Sequence, residues 1–149
     1  MIEIRKPEKK DCYELASNMR EQDKNELEAL GVKPLDALLE GLNSNIECHT
    51  VLKDGKILAM FGLNDVGHAI VPWMLGSYEI EKNKKFVCHW GKVVIRRWLE
   101  KYSYLSNVVH SENSVSIRWL KYLGATFEKE IHFDKHLFIP FHFLKESDV

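Results

Sequence analysis

The 149-residue sequence is poor in the features that mark specialised protein classes. Its three cysteines, Cys12, Cys48 and Cys88, lie far apart without a C-x-x-C pair. Such a set encodes neither a disulfide framework nor a zinc knuckle, and reads as buried or inert thiols in a reducing compartment. With four prolines and eight glycines there is no low-complexity tract, and no internal repeat or long linker is visible. The longest apolar stretch, Ala69 to Leu75, is far short of the ~20 residues a membrane span needs, and Met1-Ile2-Glu3-Ile4-Arg5-Lys6 lacks the apolar core of a signal peptide. Nor does one charge dominate: 21 basic residues face 22 acidic ones, for a net charge of -1 and a pI near 6.7. The chain as a whole therefore has no general attraction to nucleic acid or anionic membrane. These absences lead to the expectation of a soluble, cytoplasmic protein with neither of those as partner.

What is present suits one domain. At this length a folded chain buries roughly two thirds of the surface it exposes when unfolded, so residues 1–149 are read as a single domain whose core, drawn from 45% hydrophobic residues, needs no staples. Charge is laid unevenly along it. Residues 1–75 hold nine basic and 13 acidic side chains, net -4, and the remainder 12 and nine, net +3. Between Lys82 and Lys101 seven basic residues (Lys82, Lys84, Lys85, Lys92, Arg96, Arg97, Lys101) meet only Glu100, a local +6.

Ile2-Glu3-Ile4-Arg5 alternates as a short strand closed by Pro7, and Asp11 is placed to be the N-cap of a first helix. Gln22 to Leu30 reads as a helix stopped by Gly31, and Pro34 suits the first turn of a short helix over Leu35 to Leu42. Thr50-Val51-Leu52 and Ile57 to Leu63 flank Lys53-Asp54-Gly55-Lys56, where Asp-Gly suits a type I′ hairpin turn. Ala69 to Leu75 is apolar at nearly every position, like a strand covered on both faces. Pro72 within it has no N–H to donate, which implies an edge, a bulge or a place where strands separate. Over Lys84 to Tyr102 the residues Val87, Cys88, Gly91, Val94, Ile95, Trp98, Leu99 and Tyr102 recur at helical spacing, an amphipathic helix. Leu105 to His110 reads as a strand, Ser114 to Leu123 as a helix ended by Gly124, and Thr126 to Phe133 and Leu137 to Leu144 as two alternating strands. Strand-helix-strand crossings in the second half imply parallel pairing and the hairpins antiparallel pairing, so an α/β (α+β) fold with a mixed sheet is expected.

This arrangement resembles the GNAT (Gcn5-related N-acetyltransferase) fold. Ile4-Arg5-Lys6-Pro7 followed by Asp11 looks like the family's first strand and turn into its first helix, and the Asp54-Gly55 hairpin like its second and third strands. Asn113-Ser114-Val115-Ser116-Ile117-Arg118-Trp119-Leu120-Lys121-Tyr122-Leu123-Gly124-Ala125 is similar to the Asn, helix and Leu-Gly-Phe ending that follow its fifth strand. The resemblance covers nearly the whole chain and implies a mixed, mostly antiparallel sheet, flanked by helices, whose parallel central strands splay apart. Within that fold the chain is similar to the internal virion protein A-like group of T7-like podoviruses. The carriers are Glu28-Ala29-Leu30-Gly31-Val32-Lys33-Pro34, the basic helix, and Ser116-Ile117-Arg118-Trp119-Leu120-Lys121 to Gly124-Ala125-Thr126-Phe127. That likeness implies phage virion or portal proteins as partners, and the host cytoplasm or the virion as location.

The fold resemblance implies an acyl-CoA-dependent N-acyltransferase. An amine attacks the thioester of acetyl-CoA held between the fourth and fifth strands, strand amides near Trp73, Met74 and Leu75 polarise the carbonyl, and Asn113 belongs to the cofactor site. In the family a turn Arg/Gln-x-x-Gly-x-Gly/Ala holds the pyrophosphate on backbone N–H groups. The stretch here, Gly76 to Lys85, keeps only Gly76 and carries Glu79 and Glu81, which repel an anion. Lys82, Lys84 and Lys85 are then candidates to bind phosphate through side chains, the alternative being a solvated helix start. The family's general acid, a Tyr seven residues after the Asn, is replaced by Leu120. Tyr122 sits about 200° around the helix from that position, and Ser77 and Tyr78 are not picked out by spacing. Glu79 and His110, flanking the implied cleft, are the candidate general bases, with an ordinary strand-end role as the alternative.

His132, Asp134 and His136 alternate at i, i+2 and i+4, spacing that metal ligands can use, but no fourth ligand accompanies them and a solvated turn around Asp134-Lys135 is the plainer reading. No metal is assigned. Of the four tryptophans, Trp73 and Trp98 suit core packing, while Trp90 and Trp119, next to a basic helix, leave base stacking as a minor alternative. Two functions compete: an N-acetyltransferase with a degenerate acetyl-CoA site, and a non-catalytic GNAT-fold phage protein that acts in virion assembly or as an internal virion protein, binding its partner through the basic helix.

Overall fold

A computed structural model describes residues 1–146 and divides the chain into two compact units, the first comprising residues 1–65 and 72–83, the second residues 66–71 and those from Lys84 onward.

The first unit runs β1 (Ile2–Arg5), α1 (Lys9–Asn18), α2 (Glu21–Ala29), α3 (Pro34–Leu42), β2 (Glu47–Lys53), β3 (Lys56–Asp65), most of β4 (Ile70–Gly76) and a 3-10 helix, Tyr78–Asn83. The strands form one sheet in the order β1-β2-β3-β4. The β2–β3 turn has positive φ at both central residues, Asp54 at 50° and Gly55 at 81°, as a type I′ turn requires. α1 packs on α3 and β3, and Cys12, Leu15, Met19, Leu27, Leu38, Leu52, Ile57 and Met60 form a buried apolar cluster. Asp11 is not the N-cap expected of it. Glu8 is, and Asp11 sits at the third helical position, where its Oδ2 accepts the Glu8 N–H at 2.8 Å. The reason is tertiary: Asp11 is 2% exposed and also accepts from Arg5 Nη1 and Nη2 at 2.8 and 2.9 Å and from Thr50 Oγ1 at 2.9 Å, joining β1, α1 and β2. β4 is half-buried at most positions, with only Pro72 and Gly76 fully buried.

The second unit contains α4 (Lys84–Tyr102), β5 (Tyr104–His110), α5 (Ser114–Leu123), β6 (Thr126–Phe127), β7 (Ile131–Phe133) and β8 (His136–Leu144). β8 lies between β5 and β6 and also pairs with β7, every ladder antiparallel. β5 and β6, joined through α5, therefore run parallel to each other without touching. The strand-helix-strand crossing fixes their direction, but not the direct parallel pairing that the sequence suggests. The expected strand Thr126 to Phe133 is broken in two. Phe127 faces Phe141 and Ile131 faces Phe138, so three residues stand opposite two, an inserted residue. The break falls at Pro140, whose carbonyl accepts the Glu128 N–H at 2.8 Å but which has no N–H to return. α4 buries Val94, Ile95 and Trp98 against β5, β8 and α5 and exposes Lys92, Arg96 and Arg97, matching its sequence periodicity. α5 opens on Asn113, whose side chain accepts the Ser116 N–H at 3.1 Å, and closes on Gly124 at φ 101°.

Candidate functional site

The end of β4 and the residues after it are those the sequence assigns to anion binding, and the amides of Gly76, Ser77, Glu79 and Ile80 are committed to the protein itself. Gly76 N–H donates to Asp23 Oδ2 at 2.7 Å. Ser77 N–H donates to Leu58 O at 2.9 Å and Ile80 N–H to Ser77 O at 3.1 Å, while Glu79 N–H donates to Ser77 Oγ at 3.2 Å. Asp23 is buried and takes Arg20 Nε–H on the same Oδ2 at 2.9 Å, and Arg20 N–H donates to Gly76 O at 2.9 Å. The end of β4 is thus clamped to the start of α2 by a buried ion pair. At Gly76 a Cβ would run into Cδ1 of the buried Ile80. Trp73, on β4, lies against Gly41 of α3 and Gly62 of β3 and donates its indole N–H to Ser44 Oγ at 2.9 Å, so its side chain is part of the core. Leu75 packs on the same core, and Met74 is half-buried.

The 3-10 helix and the β2–β3 turn border a shallow depression of about 190 Å³ lined by Lys53, Lys56, Lys82, Asp54, Glu79 and Asn83, with Leu58. Lys53 Nζ donates to Asn83 Oδ1 at 2.8 Å, and Asn83 Nδ2 to Glu79 O at 3.0 Å. Glu79 is half-buried, with Lys56 Nζ 3.9 Å from its Oε1, and Asp54 accepts from the Met1 amino group at 2.6 Å. Three ammonium groups therefore meet two carboxylates, and both carboxylates have cationic partners. Lys82 was legible as a candidate here; Lys53 and Lys56 were not, because in sequence they are ordinary flanks of a hairpin turn. Lys84 and Lys85 are exposed on the first turn of α4.

In the second unit, His110 ends β5 with hydrogen bonds at both ring nitrogens. Nδ1 accepts the Glu112 N–H at 3.1 Å, and Nε2 lies 3.1 Å from Nδ1 of His136, the first residue of β8. The His110 ring also stands edge-on to His136 and Phe138, with centroids 5.2 and 5.1 Å away. No sequence spacing links residues 110 and 136; the β5–β8 register, which sets His110 opposite Phe138, does. Asn113, buried, serves as the α5 cap described above.

No family model matches the sequence, and no curated protein does either. Solved structures do match. A GNAT-family acetyltransferase from Bacillus anthracis superposes with a TM-score of 0.69 over 96% of this chain and 94% of its own, at 14% identity. The ribosomal-protein-S18-alanine N-acetyltransferase of Escherichia coli gives 0.71 over 99% and 97%, at 10% identity. The PaiA N-acetyltransferase of Thermoplasma acidophilum, in complex with coenzyme A, gives 0.62 over 94% and 98%, at 16% identity. The fold is that of the GNAT acetyltransferases. At such identities the likeness establishes the GNAT fold and nothing finer.

Leu120, seven residues after Asn113, is buried, 8% exposed. Tyr122 is exposed, with Lys92 Nζ 4.1 Å above its ring. Ser77 is buried and donates to Ile57 O at 2.8 Å, and Tyr78 Oη donates to Asn18 Oδ1 at 3.2 Å. None of these hydroxyls stands out as an acid. Among the described residues no three His, Cys, Asp or Glu side chains converge as metal ligands. The β7–β8 turn at Asp134 sets His132 opposite Leu137 and His136 opposite Phe133, so the two histidines leave on opposite faces of the hairpin. Trp90 and Trp119 are half-buried, their indole nitrogens shielded from solvent, and Trp90 stacks on Phe86 at 6.2 Å. Two of the thiols are muted: burial pushes Cys12 up and Cys48 up to about 11. No helix among the described residues is long and apolar enough to cross a membrane.

Proposed function

We propose that the protein is an acyl-CoA-dependent N-acyltransferase that moves the acetyl group of acetyl-CoA to an amine. What supports the reading is the two-way correspondence with GNAT-fold acetyltransferases over nearly the full length of each chain, including one solved with coenzyme A. In such a transfer the amine nitrogen attacks the thioester carbonyl carbon and the C–S bond breaks. The nitrogen gives up a proton and the leaving thiolate takes one up. The chain must therefore offer donors to the carbonyl oxygen, cations to the phosphates and an acceptor for the amine proton. The β4 backbone at Trp73, Met74 and Leu75 is assigned to the first task, the Gly76 amide being taken by Asp23, with Asn113 as a further cofactor contact. A backbone cradle for the phosphates does not fit, because the amides of Gly76, Ser77, Glu79 and Ile80 already have partners. Ammonium groups fit better: Lys82, in company with Lys53 and Lys56 around the depression, and Lys84 and Lys85 next along the chain. Glu79 is preferred over His110 as the proton acceptor, since both ring nitrogens of His110 are engaged. Calorimetric titration with acetyl-CoA and with CoA tests the reading, and no heat of binding at millimolar ligand refutes it.

A second reading is a GNAT-fold chain without catalysis, favoured by those same occupied amides and by the buried Leu120; its service to a phage, in virion assembly or as an internal virion protein, rests on the sequence resemblance alone. Its test is copurification of a virion or portal protein that is lost when Arg96 and Arg97 are reversed to Glu.

A further inference from the structure

α4 carries exposed cations in a line. Lys85, His89, Lys92 and Arg96 stand at i, i+4, i+7 and i+11, and all four are exposed. At about 100° and 1.5 Å per residue, that spacing keeps them within about 60° of the helix circumference and along about 16.5 Å of its axis. The line extends sideways onto α5: Lys92 Nζ sits 4.1 Å from the centroid of the Tyr122 ring, and Arg118, also exposed, lies one turn before Tyr122 on the same side of that helix. The two helices hold eight basic side chains and one acidic one, Glu100, which faces Lys145 Nζ at 3.2 Å. Charges are screened beyond about 8–10 Å in ordinary salt. A partner at this face therefore meets the local excess and not the net -1 of the whole chain.

We infer that this face of the second unit binds the phosphate backbone of duplex DNA without reading its sequence. One strand of the duplex places a phosphate every 3.4 Å or so along the axis, so about five phosphates run beside the four side chains of α4. Composition sets DNA above an acidic protein. A protein interface has an apolar centre from which charge, and Lys in particular, is depleted, whereas among the described large apolar side chains of α4 and α5 Val93 and Tyr122 are the exposed ones, at 39% and 51%, and a line of cations runs beside them. A single strand needs aromatic platforms for its bases. Here Trp90 is stacked on Phe86, Trp119 lies against Gly91 and Lys92 covers one face of Tyr122. α4 also holds no Ser, Thr, Asn or Gln to meet the 2′-hydroxyls that mark an RNA duplex. The inference goes beyond acyl transfer, does not depend on acetyl-CoA binding, and gives the basic helix a different partner from the virion or portal protein of the second reading.

Fluorescence anisotropy of the full chain with a labelled DNA duplex of about 20 base pairs, at about 50 mM salt, is the test. Micromolar binding is expected, equal for unrelated sequences, with log Kd rising against log salt at a slope of about 3 to 4, as contacts from Lys85, Lys92, Arg96 and Arg118 require. Lys92→Gln combined with Arg96→Gln should lower that slope by about 2 and weaken binding about tenfold or more. Lys85, a candidate for the cofactor phosphates, stays in place, so a loss cannot be traced to that site. Lys129→Gln combined with Lys135→Gln makes the same change in net charge at exposed residues of the same unit outside both helices, and should leave the binding as it was. Circular dichroism checks that both variants fold. Equal loss in the two pairs shows that net charge and not the line on α4 is at work, and overturns the inference. So does the absence of an anisotropy change at about 0.1 mM protein, or binding confined to an RNA duplex or to phosphatidylserine vesicles. A protein that copurifies after nuclease treatment, with no affinity for the duplex, also overturns it and returns this face to the second reading.

Discussion

Asp23→Ala is the perturbation that most directly tests how the end of β4 is held. One carboxylate oxygen, Oδ2, takes Arg20 Nε–H at 2.9 Å and Gly76 N–H at 2.7 Å, and the Arg20 and Asp23 side chains are 7% and 5% exposed. Truncation removes a carboxylate partner from a buried guanidinium and the acceptor from a buried amide in one step. Losing one partner of a buried pair costs about 3–5 kcal/mol, and an unsatisfied amide alone about 1–3 kcal/mol. The two losses share an atom and do not add, so about 3–5 kcal/mol is expected for the variant. Set against a total of about 5–15 kcal/mol for a domain of ordinary stability, that is a large fraction. Asp23→Asn keeps an oxygen for Gly76 and loses only the charge, so it should fall between. Urea unfolding followed by circular dichroism reads the midpoint and slope for each protein. A double-mutant cycle with Arg20→Met isolates the pair: the double variant should be less damaged than the sum of the singles. If Asp23→Ala lies within about 1 kcal/mol of wild type, the carboxylate is hydrated in solution and the clamp argument fails.

Three further outcomes follow from single observations. Burial pushes the Asp11 carboxyl up, but the Arg5 guanidinium, the Glu8 amide and the Thr50 hydroxyl outweigh it and hold the group below its ordinary value of 3.8; its stabilisation is therefore complete above that value and lost as pH falls through the lower folded one, so wild type and Asp11→Asn should differ near neutrality and converge as pH is lowered below both values in urea unfolding. A Cβ at residue 62 would lie 2.5 Å from Glu47 O and 2.8 Å from Trp73 Nε1, so Gly62→Ala should cost about 1–3 kcal/mol and lower the Tm, while an unchanged Tm would show that both the Glu47 backbone and the Trp73 ring can move aside. Lys56→Gln combined with Lys82→Gln should weaken acetyl-CoA binding about 3- to 10-fold at low salt, with the gap from wild type closing as salt is raised; equal affinity in calorimetry would remove the depression from the cofactor site.

Much of the fold could be read from local signals because those signals act locally. α4 spans Lys84–Tyr102 as its periodicity indicates, α5 spans Ser114–Leu123 between an Asn cap and a glycine stop, and Asp54-Gly55 makes the expected turn. The misreadings share one cause, a partner distant in sequence. Asp11 looks like an N-cap until Arg5 and Thr50 draw it inside. The strand after α5 looks continuous until Pro140, on another strand, breaks its ladder. Of the candidate residues, Lys82, Glu79 and His110 were visible as residue types in suggestive places, whereas Lys53, Lys56 and Asp23 enter only through the hairpin and the clamp, and His136, spaced like a metal ligand in the sequence, meets His110 only through the β5–β8 register.

Gly76 shows why residue type alone misleads at such a loop. A glycine after a strand and before a helix is compatible with a backbone that approaches a phosphate, and equally with a backbone that approaches another part of the chain. What separates the two is the destination of the amide. Here the Gly76 N–H ends on Asp23, a carboxylate that occupies the place an external anion would need, and Ile80 fills the space a side chain would take. An anion brought to this loop therefore competes with a buried carboxylate for the amide, or is met by ammonium groups at the end of flexible stems. The second route gives weaker orientation and stronger salt dependence than a backbone cradle, because point charges near the surface are screened and do not fix direction. If the chain does transfer acyl groups, salt sensitivity of cofactor binding is the signature that distinguishes it from GNAT-fold enzymes that hold phosphate on their backbone.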